Sequence, residues 1–212
     1  MQYTNITASA QIKTEQTVLN KVIVNSHTSG TIRFNNGESG TTSAGVKANQ
    51  TLTASGVFSD GETVFIGDKT YTFRTALTSP AVANEVLIGA SAAASLDNLK
   101  SAINATAGAG TTYSTGTAAN PNVDATDNAD TTQKVEAKRV GTYGNAIETT
   151  ETCANAAWGA AVLASGAEAS TLVMNTFTFP AGSGVYELGD IDVDNGLYAT
   201  IGGTADVTVV YK

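Results

Sequence analysis

Among its 212 residues the chain has one cysteine and one histidine. A lone cysteine closes no intramolecular disulfide, and Cys153 and His27 have no second thiol or imidazole with which to build a metal centre. Prolines number only three and charged residues make up only 14%, so the chain is neither a proline-rich linker nor a disordered polyelectrolyte. No stretch approaches the roughly 18 apolar residues of a membrane-spanning helix. Met1-Gln-Tyr-Thr-Asn5 lacks the basic start and apolar core of a signal peptide, which leads us to expect synthesis in a cytoplasm and no membrane partner. Lys and Arg total 11 against 19 acids, for a net charge of -8, whereas neutralising phosphates requires an excess of basic residues. Nucleic acid is therefore not an expected partner.

Motifs of catalysis are also missing. The chain contains no Gly-x-Ser-x-Gly elbow, no phosphate-binding Gly-x-x-x-x-Gly-Lys, no His-Glu-x-x-His and no dinucleotide fingerprint opening a βαβ unit. A carboxylate pair for glycoside hydrolysis stays open, since spacing in the sequence does not fix spacing in space. One Trp and seven Tyr are few platforms for a sugar-processing enzyme, however. Neither an enzyme nor a cofactor is expected. The one constellation that invites a metal is Asp190-Ile-Asp-Val-Asp-Asn-Gly196, where Asp190, Asp192 and Asp194 could offer oxygen ligands to calcium. It departs from the EF-hand loop, because its glycine falls at position seven and Ile201 takes the place of the bidentate glutamate. A strand with Ile191 and Val193 inward and the three aspartates outward accounts for the same residues, so no metal is assigned and calcium is the alternative. Asp124, Asp127 and Asp130 read as a solvated acidic loop, His27 as a turn residue and Cys153 as a small buried apolar residue.

What the sequence does contain is 42% hydrophobic residues and 21 glycines with many Ala, Val and Thr, a composition that favours turn-rich β-structure. Ala10-Gln-Ile-Lys-Thr14, Val18 to Asn25 and Gly30-Thr-Ile-Arg-Phe34 read as strands, and Asn35 to Gly45 as a loop. Thr63 to Ile66 and Lys69 to Arg74 read as a hairpin across Gly67-Asp68. Ala92, Leu96, Leu99 and Ile103 recur at helical spacing, with Ser91 as N-cap and Gly108 as terminator. Residues 107 to 133 read as a long exposed loop or as weak polar strands, with Trp158 and Leu163 closing the core beyond them. Thr171 to Phe179, Tyr186 to Val193, Gly196 to Ile201 and Asp206 to Tyr211 read as four strands, with Gly202-Gly203 a turn between the last two. Neither chain end is large enough for a core of its own. The expected fold is therefore mainly β: a discontinuous β-sandwich of residues 1-51 and 169-212, with residues 52-168 inserted as a small α+β module carrying one helix.

Gly61-Glu-Thr-Val-Phe-Ile-Gly-Asp-Lys-Thr-Tyr-Thr-Phe73, Asn84 to Asn104 and Gly141-Thr-Tyr-Gly-Asn-Ala-Ile147 together resemble a module embedded in many virion proteins of tailed bacteriophages. Tyr3-Thr-Asn-Ile-Thr7, Val22-Ile-Val-Asn-Ser26, Gly30-Thr-Ile32 and Gly196 to Lys212 resemble short phage proteins that decorate the particle. The resemblance implies a non-enzymatic virion structural protein on the capsid surface. Its implied partners are the major capsid protein or other virion proteins, it would form a homotrimer, and the inserted module would project outward. The alternative is a tail-fibre or baseplate component whose inserted module binds a host receptor or glycan.

Overall fold

A computed structural model of the chain describes residues 1–37, 39–180 and 182–212; Glu38, in the loop expected at 35 to 45, lies outside the described residues. The protein is mainly β, with several antiparallel sheets and, among the described residues, one α-helix. In chain order the elements are β1 (Gln2–Ile6), β2 (Ala10–Lys13), β3 (Thr17–Asn36), β4 (Lys47–Ala54), β5 (Thr63–Ile66), β6 (Lys69–Arg74), β7 (Glu85–Leu87) and α1 (Ala92–Asn104). They continue with β8 (Val123–Ala129), β9 (Thr132–Val140), a 3-10 helix (Thr142–Ala146), β10 (Thr149–Glu151), β11 (Ala156–Trp158), β12 (Thr171–Thr178), β13 (Gly184–Val193) and β14 (Leu197–Tyr211). They form two compact units, one from Met1–Gly45 with Glu168–Lys212 and the other from Val46–Ala167. A boundary at residue 51 would cut β4, whose residues Lys47 to Thr53 pair with β9 and whose even-numbered Ala48, Leu52 and Ala54 are buried on one face.

The first unit is one six-stranded sheet built on two long strands. β3 runs from Thr17 to Asn36 and pairs antiparallel with β14 along the whole of β14, from Leu197 opposite Asn36 to Tyr211 opposite Leu19. The pieces expected as separate strands on either side of residues 25 to 30 and of Gly202-Gly203 are therefore continuous, and no turn forms at Gly202-Gly203. Irregularity is absorbed within the ladder instead: the register shifts between Thr204 and Ala205, between Asp206 and Val207 and between Val210 and Tyr211. Gly203, at φ 78°, lies opposite Gly30, where a Cβ would meet the Phe179 ring at 2.8 Å. The glycines thus let the strands bend around an aromatic side chain rather than end. β1 and β2 flank β14, and β12 and β13 flank β3 at its two ends. Leu19, Val22 and Val24 from one end of β3 share a single buried cluster with Ile32 and Phe34 from the other and with Val207, Val209 and Tyr211 of β14.

The second unit has two four-stranded sheets, β10-β5-β6-β7 and β11-β4-β9-β8, and α1 packs against β7, β8 and β9. β5 and β6 make the two-residue hairpin at Gly67-Asp68, with Gly67 at φ 60°, as the first central position of such a turn requires. The Ser91 hydroxyl accepts from the Ala94 amide at 3.2 Å, capping α1, whose Leu96, Leu99 and Ile103 are buried. The helix ends three residues before Gly108: Ala105 takes the left-handed conformation (φ 48°, ψ 44°), and the Thr106 amide reaches back to the Ser101 carbonyl at 3.0 Å. Leu163 is buried and Trp158 is partly buried against the same core.

The segment after the helix is not an exposed loop. Tyr113, Ser114 and Asn120 are buried in it, and β8 and the start of β9 complete the stretch. Asn120 ties four elements together, α1, β5, β6 and β8. Its backbone amide donates to the Ile103 carbonyl at 2.8 Å, and its side-chain amide donates to the Ile66 carbonyl at 3.2 Å and to the Tyr71 hydroxyl at 3.4 Å. Its side-chain oxygen accepts from the amides of Asn122 (2.9 Å) and Val123 (3.2 Å). Burial pushes the Tyr71 phenol up to about 12, against a smaller lowering from Asn120, so the hydroxyl stays protonated inside the core.

Replacing Asn120 with Ala leaves the Asn122 and Val123 amides without their acceptor, and urea denaturation should show a loss of about 2 to 4 kcal/mol. Ala105→Gly removes left-handed strain from an L-residue and should stabilise the protein by roughly 1 kcal/mol, read as a higher urea midpoint.

Candidate functional site

The three aspartates considered for calcium lie on and just after β13, and the structure gives two of them other partners. Asp190 sits in the irregular stretch between Glu187 and Ile191 at φ 56°, where its carboxylate accepts from Lys212 Nζ and Asn20 Nδ2, both at 2.6 Å. The Lys212 bond first, and then that from Asn20, hold its carboxyl below the usual range. Asp194 accepts from Gln16 at 3.4 Å, Asp192 is exposed and Val193 is buried. Among the described residues no group of three or more His, Cys, Asp or Glu side chains could hold a metal. Asp124 and Asp127 are on β8 rather than in a loop, within 3.7 Å of Lys138 and 4.0 Å of Lys134, because β8 and β9 pair across a short turn at Asp130.

His27 lies inside β3 rather than in a turn. Its Nε2 is 2.8 Å from the Pro180 carbonyl and 3.1 Å from that of Gly182, and its ring tilts against Phe179. Cys153 is half-buried; burial, followed by the charges of Glu62 and Glu151, pushes its thiol up to about 12. That is the opposite of what a nucleophilic thiolate needs.

Each unit has a concave surface of distinct chemistry, one apolar and one polar. In the first unit an apolar cleft of about 320 Å³ opens between β12 and β13 over β3, lined by Val22, Ile32, Met174, Phe177, Val185 and Leu188. Phe177 and Tyr186 meet edge to face at 4.9 Å inside it, and the Lys21–Glu187 pair at 2.8 Å is anchored on the same strands. Val185, 57% exposed, lies at its mouth, and Leu172, 41% exposed, lies at the other end of β12. β12 and β13 each pair with β3 alone among the described residues, so both present a free edge.

In the second unit a polar cleft of about 270 Å³ is lined by Gly67, Asp68, Asn122, Tyr143, Ile147 and Glu148. Asn122 Nδ2 donates to Asp68 Oδ2 at 2.8 Å, and the Gly67 amide donates to the Glu148 carbonyl at 2.8 Å. Sequence reading did not single out this site. Its parts come from a turn, the residue before β8 and a 3-10 helix far apart along the chain.

A second network missed from sequence is centred on Glu85, only 2% exposed, whose carboxylate accepts from the Thr78 amide (2.9 Å), the Thr78 hydroxyl (2.7 Å) and Arg74 Nε (3.1 Å). Burial alone would raise this carboxyl, but the Thr78 and Arg74 bonds outweigh it and hold it below the ordinary glutamate range. The folded state thus keeps Glu85 ionised where the unfolded chain, near about pH 4.3, takes up a proton. Its stabilisation is complete above that value and is lost as pH falls through the lowered folded value. Urea midpoints should accordingly drop from about pH 5 towards pH 3, and Glu85→Gln should lower the pH 7 midpoint while flattening this dependence.

The chain matches no protein family, no curated protein and no solved structure.

Proposed function

We propose that this protein is a non-enzymatic structural component of a tailed-phage virion that decorates or cements the capsid exterior, with the major capsid protein as partner. In this reading the six-stranded sheet folds over its shared core as a two-layer β-sandwich that grips the shell, and Val46–Ala167 is a module inserted into it. The observation that carries the reading is the apolar cleft between β12 and β13, with exposed Val185 at its mouth and unpaired strand edges on both sides. Apolar side chains beside free edges suit attachment to a protein surface by packing and strand pairing.

Two further features support it. In the first unit Ser43 and Ser170 exchange both backbone hydrogen bonds (2.8 and 2.9 Å), and in the second Val46 and Ala167 do the same (2.8 and 3.0 Å). Each unit thus brings together the two points at which the chain passes from one to the other, as an insertion requires. Among the described residues, both amide atoms of Asn35 along with Gln11 Oε1, Arg33 Nε and Thr200 Oγ1 are buried in the first unit without a hydrogen-bond partner. Each such atom costs about 1 to 3 kcal/mol, so a unit of this kind gains from a partner that stabilises it by mass action.

The test is cosedimentation with assembled particles, together with difference imaging of virions that carry or lack the protein. Binding should persist through roughly 0.5 M salt, where the Debye length is only about 4 Å. It should weaken tenfold or more in Val185→Asp, since burying an unpaired carboxylate costs well over about 1.4 kcal/mol. It should survive replacement of residues 46 to 167 by a short Gly-Ser bridge. Complete release at that salt, indifference to Val185→Asp, or added density on the tail instead of the shell would overturn the reading.

A further inference from the structure

The polar cleft of the second unit has a chemistry different from that of the apolar one. At about 270 Å³ it is the size of one small ligand, too small for a folded partner. Tyr143 in its wall is 62% exposed, and the Arg139 guanidinium lies 5.6 Å from its ring centroid, bracing one face. Asp68 and Asn122 fix each other through their 2.8 Å bond. Among the described residues, no group of the chain hydrogen-bonds Asp68 Oδ1 or the Glu148 carboxylate. Gly67 is a positioning residue: a Cβ there would stand 2.7 Å from Asn122 Nδ2, and its φ of 60° disfavours any other residue.

A ligand matched to this wall donates hydroxyls to Asp68, held in place by Asn122, and to the exposed Glu148 carboxylate, and lays an apolar face on an exposed aromatic ring. It also carries no negative charge, because Asp68 and Glu148 would repel it. Phosphates, nucleotides and acidic sugars fail the last condition, and alkyl or aromatic compounds fail the first. An uncharged pyranose meets all of them, with equatorial hydroxyls at its rim and C–H groups on its face.

We propose that this cleft binds one uncharged hexopyranose residue of a glycan. The sugar's C–H face lies on Tyr143, its hydroxyls donate to Asp68 and Glu148, and Asn122 donates and accepts beside them. The site does not depend on the attachment surface of the first unit, so its failure would leave that reading intact.

The experiment is saturation-transfer NMR on the full chain with the methyl glycosides of glucose, galactose, mannose and N-acetylglucosamine, followed by shift titrations for Kd. At least one glycoside should receive saturation, concentrated on its ring C–H protons. Its Kd should rise about tenfold in Tyr143→Ala and about threefold or less in Tyr143→Phe, which keeps the ring. Should Tyr143→Ala lower the melting temperature, Glu148→Gln, a change on an exposed side chain, replaces it and should weaken the same sugar at least about threefold. Absence of transfer from all four glycosides, or a Kd unchanged in Tyr143→Ala or its replacement, would overturn the proposal.

Discussion

The antiparallel pairing of β3 with β14 is the constraint on which the first unit rests, because every other strand of that sheet hangs on one of these two. It joins residues near the two ends of the chain, Leu19 with Tyr211 and Asn36 with Leu197. Closing so long a loop costs conformational entropy, although the cost grows only logarithmically with length. The Val46 to Ala167 bridge lessens it, because a second unit that folds on its own core first brings its ends together and shortens the effective loop to the residues outside it. Formation of the second unit therefore favours the pairing that defines the first.

Long ladders carry a risk of slippage, and the bulges in this one oppose it. Asn25 lies where the pairing steps from Asp206–Ser26 to Val207–Val24, and its amide reaches Asn5 (3.2 Å), Asp206 (3.0 Å) and Thr208 (3.1 Å). A one-residue slip would break these contacts and turn Val22 and Val24 away from the core. Asn20 has the same part at the next irregularity, where its side chain donates to Asp190. Asp190, the first carboxylate of the acidic run, is thus tied to the register of this ladder.

Local signals in the sequence were the readable ones. Gly67-Asp68 between alternating strands specifies a hairpin because glycine meets the turn's dihedral demand, and Ser91 before an apolar 3.6-residue period specifies a capped helix. Where glycine misled, tertiary contacts had overridden its local meaning. Gly202-Gly203 continues a strand because Thr31 and Gly30 pair opposite it, and Gly108 gave way to Ala105 because the helix end is fixed by the packing of Ile103 and the anchor at Asn120. Asp124 to Asp130 reads as solvated loop by composition, yet Val123 and Ala125 supply the alternation that a strand beside β9 needs. The Tyr143 cleft and the Glu85 network were not legible, since each joins residues that only the folded sheets bring together.

The apolar and the polar cleft differ in how their charge is compensated. Around the apolar cleft Glu187 is neutralised by Lys21 at 2.8 Å, so this face presents little field. In the polar cleft Asp68 is held by an amide rather than by a cation, which fixes its direction without cancelling its charge. The nearby Lys69 ammonium turns instead to the carbonyls of Ala118 and Ala119, and Lys138 pairs with Asp124. Asp68 thus keeps its charge at the polar cleft, whereas the charge beside the apolar cleft is paired.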